Sequence, residues 1–422
     1  MFKVVEREMA RQFYMGARVP AFIRRWSAFP KTESAGVDLG ADNAEHDLCK
    51  AEVSAYTNST NLLALYDSRS SKGNFITDVS GHTKLDLCME GLPLGWNHKD
   101  FISVANNKAW DHHSINPGMD AAQRATSDFA EGASVALNAV KPAGMTSVTL
   151  VHGSSAVEQA IFAAMAQRGN GQRQTALRFS NSSCSNSILL SGLMGLDWPE
   201  VEYPTTAQEE ERALEGARQA LAEGNVSAVV IEPTSARSGH AVSDAFVAQL
   251  HGLAQANGAA LVVDETNTGC GASGKGFWQY SGAADYVTFG KRTQFTGFYT
   301  NEAKQADEMF VAGKMIDLQR HNIIKSAMDS EGLIERVARV GASHLAAAES
   351  AASKSGHIHG VRGSGTSLWI DTSSPEELRE HLSAHGVLVK ANGSHGVMTK
   401  PSLTLEDHQA QHLVSALAKF SM

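Results

Sequence analysis

The stretch Val262–Lys291, VVDETNTGCGASGKGFWQYSGAADYVTFGK, holds two apolar runs, each ending in a charged group. The first stops at Asp264 and Glu265, the second at Gly290 and Lys291. Short runs of this kind read as buried strands. Between them, Gly269, Gly271, Gly274 and Gly276 follow neither the GxGxxG nor the Walker order, so they read as a tight loop. A carboxylate placed behind four apolar residues is poorly solvated and needs a cationic partner. Two readings follow for Asp264 and Lys291: a structural salt bridge, or an acid and an amine serving chemistry.

Working outward, the same punctuation recurs. SVTLVHG (147–153) leads into the helical pattern SSAVEQAIFAAMAQRG (154–169), and VSAVVIEP (226–233) leads into SDAFVAQLHGLAQANG (243–258). Short apolar strands alternating with helices imply an α/β fold with a mainly parallel sheet between helices. GNFITDVSGHTKLDLC (73–88) reads as a hairpin. Beyond Thr300 the pattern is helical over 303–328 and 333–354, and it closes with HGVRGSGTSLWIDT, LREHLSAHGVLVKA and a last helix, a smaller α+β domain. No internal repeat is present.

Ligands of open α/β sheets collect beyond the carboxyl ends of the strands. Four strand ends here are polar: Gly153-Ser154-Ser155, Glu232-Pro233, Asp264-Glu265 and Gly290-Lys291. The first lies where a strand becomes a helix, which suits either an ordinary N-cap or a phosphate cradle. A cradle, a buried carboxylate and a lone lysine together meet the three needs of pyridoxal phosphate: an anchor for the phosphate, an anion for the ring nitrogen and an amine for the Schiff base.

With those motifs in place, the chain resembles the class III, fold-type I pyridoxal-phosphate aminotransferases, nearest the 4-aminobutyrate and lysine ε-aminotransferase branch. The resemblance rests on GNFITDVSGHTKLDL with GLPLGWNHKD, VKPAGMTSVTLVHGSSAVEQA, VVIEPTSARSGH, LVVDETNTGCGASGKGFW and YVTFGKRTQ, in that order. It implies an N-terminal segment (1–96) contributing to the small domain, a large cofactor-binding domain (97–300) and a C-terminal small domain (301–422). It implies Lys291 as the catalytic Schiff-base lysine, Asp264 at the ring nitrogen and Gly153, Ser154 and Ser155 on the phosphate. Asn267 stands where the family has a glutamine near the ring hydroxyl. The implied reaction moves an amino group from an ω-amino acid to a 2-oxo acid such as 2-oxoglutarate, in a homodimer. The alternatives are a weakened or non-catalytic homologue, and a lyase or racemase using the same cofactor.

The chain also departs from that pattern. Ser183 replaces an arginine, Arg237 replaces a glutamate, and Lys400-Pro401 replaces an Arg-Pro pair. The stretch 297–323 is short, and the threonine loop that reaches a partner subunit's phosphate has no counterpart. Arg237 and Lys400 are therefore the expected substrate-binding cations, taking a carboxylate. With both cationic, the glutamate's neutralising charge is lost, which favours an anionic ligand.

The net charge of −9 argues against nucleic acid as a partner. No apolar run suffices to cross a bilayer. Cys49, Cys88, Cys184 and Cys270 form no CxxC pair, and His112-His113 has no acid at metal spacing, so no metal site is expected. Trp96 and His98 read as pocket rim or as packing. Residues 1–29, with Arg7, Arg11, Arg18, Arg24 and Arg25 but also Glu6 and Glu8, read as a mitochondrial leader or as a packed amphipathic helix, leaving matrix and cytoplasm both open.

Overall fold

Valine-rich runs build the middle of a seven-stranded sheet in the computed structural model. It describes residues 66–108, 117–119, 124–151, 156–169, 175–182, 198–302 and 313–420. These fall into two units, 66–71 with 76–83, and 72–75 with 84–420; everything below concerns the second. The sheet contains β1 (Ser147–Leu150), β2 (Thr175–Phe179), β3 (Glu200–Val201), β4 (Val226–Ile231), β5 (Ala260–Asp264), β6 (Tyr286–Phe289) and β7 (Gly297–Thr300). In space the order is β1-β7-β6-β5-β4-β2-β3. Every pairing from β6 through to β3 is parallel, whereas β7 runs antiparallel to both of its neighbours.

Side-chain alternation divides the sheet into two dry faces. Val229, Ile231, Leu261, Val263, Val287 and Phe289 join one core with helices α1 (Ser127–Ala139), α3 (Ala207–Ala222) and α4 (Asp244–Ala256). Ala228, Val230, Ala260, Val262 and Tyr286 meet α2 (Ala156–Arg168) on the other face. That second face is alanine on both sides (Ala156, Ala160, Ala163 and Ala164 against Ala176, Ala228 and Ala260), which lets helix and sheet approach closely. Strands β4, β5 and β6 are buried throughout, so their near-continuous apolar sequence is what a doubly covered parallel sheet requires. Each large aliphatic side chain buried there contributes about 1.5–3 kcal/mol.

After Gly313–Lys314, which pair with Pro117–Met119, come α5 (Met315–Ser330) and α6 (Leu333–Ala352). Of the helical pattern expected over 303–328, Gly313–Lys314 are strand and the helix runs from Met315; residues 303–312 lie outside the described residues. A second sheet follows from β8 (Ile358–Ser364), β9 (Ser367–Thr372), β10 (Lys390–Ala391) and β11 (Gly396–Met398), in the order β8-β9-β11-β10. It packs on α6, α7 (Pro375–Ala384) and α8 (Asp407–Leu417) around a core of its own. The β8–β9 turn needs its glycine: Gly365 sits at φ +55°, and a Cβ there would lie 2.2 Å from the Ala272 carbonyl oxygen. That contact seats the second sheet against the loop that follows β5.

No helix among the described residues is long and apolar enough to cross a membrane.

Candidate active site

The carboxyl ends of β4, β5 and β6 set the site. Ile231 lies opposite Val263, and Asp264 lies opposite Thr288, so the polar residues Glu232, Asp264 and Thr288 come into line where the strands end. Alternation carries Asp264, two residues past Val262, to the α2 face, and it carries Glu265 to the other. Asp264 is 1% exposed; its Oδ1 accepts from the Thr266 amide and from Thr288 Oγ1, each at 2.9 Å. The carboxylate is thereby fixed in orientation before any ligand arrives.

Glu265 is the buried acid of the opposite face. Its Oε1 accepts from the Tyr280 amide at 2.7 Å, and Oε2 accepts from Thr268 Oγ1. Burial pushes its carboxyl up to about 7. Because the folded value lies above the ordinary glutamate value of 4.5, the stability it contributes is complete below that value and is lost as pH rises toward 7. A Glu265→Gln variant removes this loss. Its melting temperature should match the parent at pH 4 and exceed it at pH 8, where the parent carries a cost of about 3 kcal/mol. Equal pH dependence of the two melting curves would show that Glu265 is not the titrating group.

Past Gly290 the chain makes a single 3-10 turn from Lys291, whose φ is +54°. That backbone aims the side chain across the loop after β5. Lys291 Nζ donates to Asn267 Oδ1 and, at 3.1 Å, to Glu90 Oε1. Lys400 Nζ reaches the same two acceptors, Glu90 Oε1 at 2.7 Å and Asn267 Oδ1 at 3.1 Å. Asn267 Nδ2 in turn donates to Glu232 Oε1 at 3.0 Å. The loops carrying the two lysines are clipped together, since the Arg292 guanidinium donates to the Pro401 carbonyl at 3.0 Å. Lys400 is also held in place through its own amide, which donates to the Leu87 carbonyl at 2.6 Å.

One carboxylate between two ammonium groups has asymmetric electrostatics. Burial pushes the Glu90 carboxyl up, but Lys400 and Lys291 more than offset this and hold it at about 2. Burial pushes the Lys400 ammonium down; Glu90 pulls it back and Lys291 pushes it down again, so the net direction is down. The neutralising charge expected to be missing is therefore present, supplied by Glu90 rather than from position 237.

Arg237 sits on a turn at the rim of this region. Its side chain is exposed, and its carbonyl accepts from Asn392 Nδ2 at 2.6 Å. The turn is clamped by Trp369 Nε1 on the Ala236 carbonyl and by Arg362 Nε on the Ser238 carbonyl. Below it lies a narrow recess lined by Thr234, Asn267, Thr268, Ser273, Trp369 and Lys400.

Thus Lys291, Asn267 and Lys400 are joined by hydrogen bonds, Asp264 stands at the adjacent strand end, and Arg237 lies on the rim. Gly153, Ser154, Ser155 and Ser183 lie outside the described residues, as do His112 and His113. Phe179, at the end of β2, is core. It is fully buried on the face away from Asp264, edge-to-face with Tyr203 and Phe246. Trp96 and His98 serve local structure: Trp96 Nε1 donates to Asp86, and His98 caps the helix Lys99–Ala105. Glu90 is the residue that sequence reading missed. It falls between GNFITDVSGHTKLDL and GLPLGWNHKD, outside the segments that carried the resemblance, and its partner Lys400 is 310 positions away. No cluster of three or more potential metal-ligating side chains occurs among the described residues.

The donor set fits pyridoxal phosphate as far as it is described. A cofactor with a pyridine nitrogen and an aldehyde calls for a buried, oriented acid and a reachable amine. Asp264 is such an acid, and Lys291, whose side chain is 39% exposed, is such an amine.

The sequence model of the family described as aminotransferase class-III matches residues 55–420. A probable mitochondrial 4-aminobutyrate aminotransferase of Caenorhabditis elegans is 26% identical, over 90% of this chain and 93% of its own length. A 4-aminobutyrate aminotransferase of Emericella nidulans is 27% identical, over 86% and 85%. Among solved structures, the lysine aminotransferase of M. tuberculosis in its internal aldimine form superposes with a TM-score of 0.76. That match is 20% identical and covers 87% of this chain and 97% of that one.

Proposed function

The chain belongs to the class-III aminotransferases, pyridoxal-phosphate-dependent transaminases, and from that premise we propose that its donor is an ω-amino acid. A 4-aminobutyrate-like compound or the ε-amino end of lysine would give up its amine to a 2-oxo acid such as 2-oxoglutarate. The names of its relatives support this reading. The observation that carries it is the convergence of Lys291 and Lys400 on shared acceptors at the strand ends. On this reading one lysine serves the chemistry and a second, mostly buried one takes a substrate carboxylate.

Pyridoxal phosphate supplies an aldehyde for the amine and a ring that withdraws electrons from the carbon bearing it. The residues do the rest. Lys291 Nζ accepts the proton leaving the donor carbon and returns it elsewhere. Asp264 keeps a proton on the ring nitrogen. Gly153, Ser154 and Ser155 would grip the phosphate through backbone amides and hydroxyls. Asn267 orients both lysines, Lys400 binds the far carboxylate, and Arg237 draws anions to the rim. The donor leaves as an aldehyde, the acceptor leaves as an amino acid, and the working enzyme is proposed to be a homodimer.

A panel of amines assayed for glutamate formation from 2-oxoglutarate tests the donor class. The ω-amino donors should exceed α-amino donors such as alanine by about tenfold or more in kcat/KM. Turnover confined to α-amino donors would sink the assignment. Within the site, Lys400→Ala should raise the KM for 2-oxoglutarate about tenfold or more, and Arg237→Ala should raise it a few-fold. Michaelis constants unchanged by Arg237→Ala for every carboxylate accepted would remove Arg237 from the substrate path.

A further inference from the structure

We propose that Arg362, Trp369 and Asn392 are positioning residues for Arg237. Through them the second sheet holds, by its main chain, the turn that carries Arg237, and so sets where a substrate carboxylate is received. The idea rests on the reading above that Arg237 draws such a carboxylate.

Three observations support it. First, the grip falls on three successive carbonyls. Trp369 Nε1 donates to Ala236 at 3.0 Å, Asn392 Nδ2 to Arg237 at 2.6 Å and Arg362 Nε to Ser238 at 2.6 Å. Because all three acceptors are main-chain oxygens, the grip sets the origin and direction of the side chain at 237 without using it. Second, the sheet arranges the donors in advance. Arg362 lies opposite Trp369, Trp369 opposite Met398 and Met398 opposite Lys390, so these side chains share one face. Asn392, two residues past Lys390, returns to that face. The Arg362 fork is itself locked, since Nη1 and Nη2 donate to the two oxygens of Asp371, each at 2.6 Å. The turn meets the Trp369 ring at Gly239, whose φ is +73° and where a Cβ would lie 2.4 Å from Cδ2 of the indole. Third, the turn is tied inward to the lysines. The Ala236 amide donates to Glu232 Oε2 at 3.3 Å, Glu232 Oε1 accepts from Asn267 Nδ2 at 3.0 Å, and Asn267 Oδ1 accepts from both Lys291 and Lys400. The backbone that carries Arg237 is thereby held from the second sheet on one side and from the strand ends on the other.

Loosening the grip should weaken carboxylate ligands through Arg237 and spare the step at Lys291. Glutarate, a dicarboxylate that cannot accept an amine, isolates binding from turnover. It is titrated by calorimetry, at fixed ionic strength, into the full-length protein loaded with pyridoxal phosphate, and KM and kcat for 2-oxoglutarate are measured alongside. Trp369→Phe keeps an aromatic ring on Gly239 and removes the N–H; Asn392→Ala removes a half-buried donor and serves if the first variant folds poorly. Each should weaken glutarate and raise the KM about two- to threefold, with kcat within about twofold of the parent. In an Arg237→Ala background neither substitution should weaken glutarate further, because both act through Arg237. Equal losses with and without Arg237 would mean that the grip supports general structure, and would overturn the positioning role. Unchanged binding in Trp369→Phe and Asn392→Ala, with Arg237→Ala still impaired, also overturns it and leaves the Arg237 reading intact. Unchanged binding in Arg237→Ala overturns that reading itself, and the positioning role falls with it.

Discussion

Replacing Lys291 with alanine abolishes the visible absorbance of bound pyridoxal phosphate and lowers kcat by roughly 10³-fold or more, toward the upper end of what one positioned base supplies. The loss is expected to be chemical rather than structural. Lys291 is more than a third exposed, and both of its acceptors, Asn267 Oδ1 and Glu90 Oε1, keep Lys400 when it is gone. Its backbone at φ +54° is no harder for alanine than for lysine, and the Arg292–Pro401 clip survives. The melting temperature should therefore stay within a few degrees of the parent. Lys291→Arg makes the test sharper, because it preserves the charge beside Glu90 and removes the amine; it should lose the absorbance equally. A band that persists in both variants would place the reactive amine elsewhere, with Lys400 the first to examine. Difference spectra with added cofactor decide it.

What could be read in the sequence was what strands and helix caps announce locally. Asp264 and Lys291 were legible because each ends an apolar run, and because parallel neighbours must bring such ends to one edge. The antiparallel strand Gly297–Thr300 was not legible. Four residues after a turn carry no periodicity, and their place between β1 and β6 is decided by pairing on both sides. The face that Phe179 takes was not legible, because one aromatic near a motif says nothing about which side of the sheet it will meet. Its position in β2 sends it to the α4 core with Phe246. Glu90 escaped notice for a related reason. A glutamate in the turn MEGL reads as solvated, and only the fold brings Lys400 to it from the far end of the chain. With Arg237 where the resemblance implies a glutamate, Glu90 supplies a carboxylate to Lys400, so local charge balance can be kept while the residue that provides it moves. A sequence motif records the residue and not the balance.

Asp264→Asn separates charge from geometry more cleanly than any other change in the site. The asparagine carbonyl oxygen can still accept from the Thr266 amide and Thr288 Oγ1, so the strand end keeps both hydrogen bonds. What disappears is the negative charge proposed to hold a proton on the ring nitrogen. A ring without that proton draws electrons poorly, so Lys291 must remove the donor's proton against a higher barrier. The expectation is a kcat lower by about 10²–10³-fold, or roughly 3–4 kcal/mol of barrier, with cofactor absorbance retained at higher cofactor concentration. Asp264→Ala, by contrast, strands the Thr288 hydroxyl in a buried position and should cost about 1–3 kcal/mol of stability as well. A cofactor methylated on the ring nitrogen carries its positive charge permanently and does not depend on Asp264 to keep it. It should recover a large part of the lost rate in Asp264→Asn and add nothing in Lys291→Ala, which lacks the base. Recovery in neither variant would mean that Asp264 contributes packing alone. Recovery confined to Asp264→Asn would assign the two strand-end residues their separate duties, one holding charge and the other moving a proton.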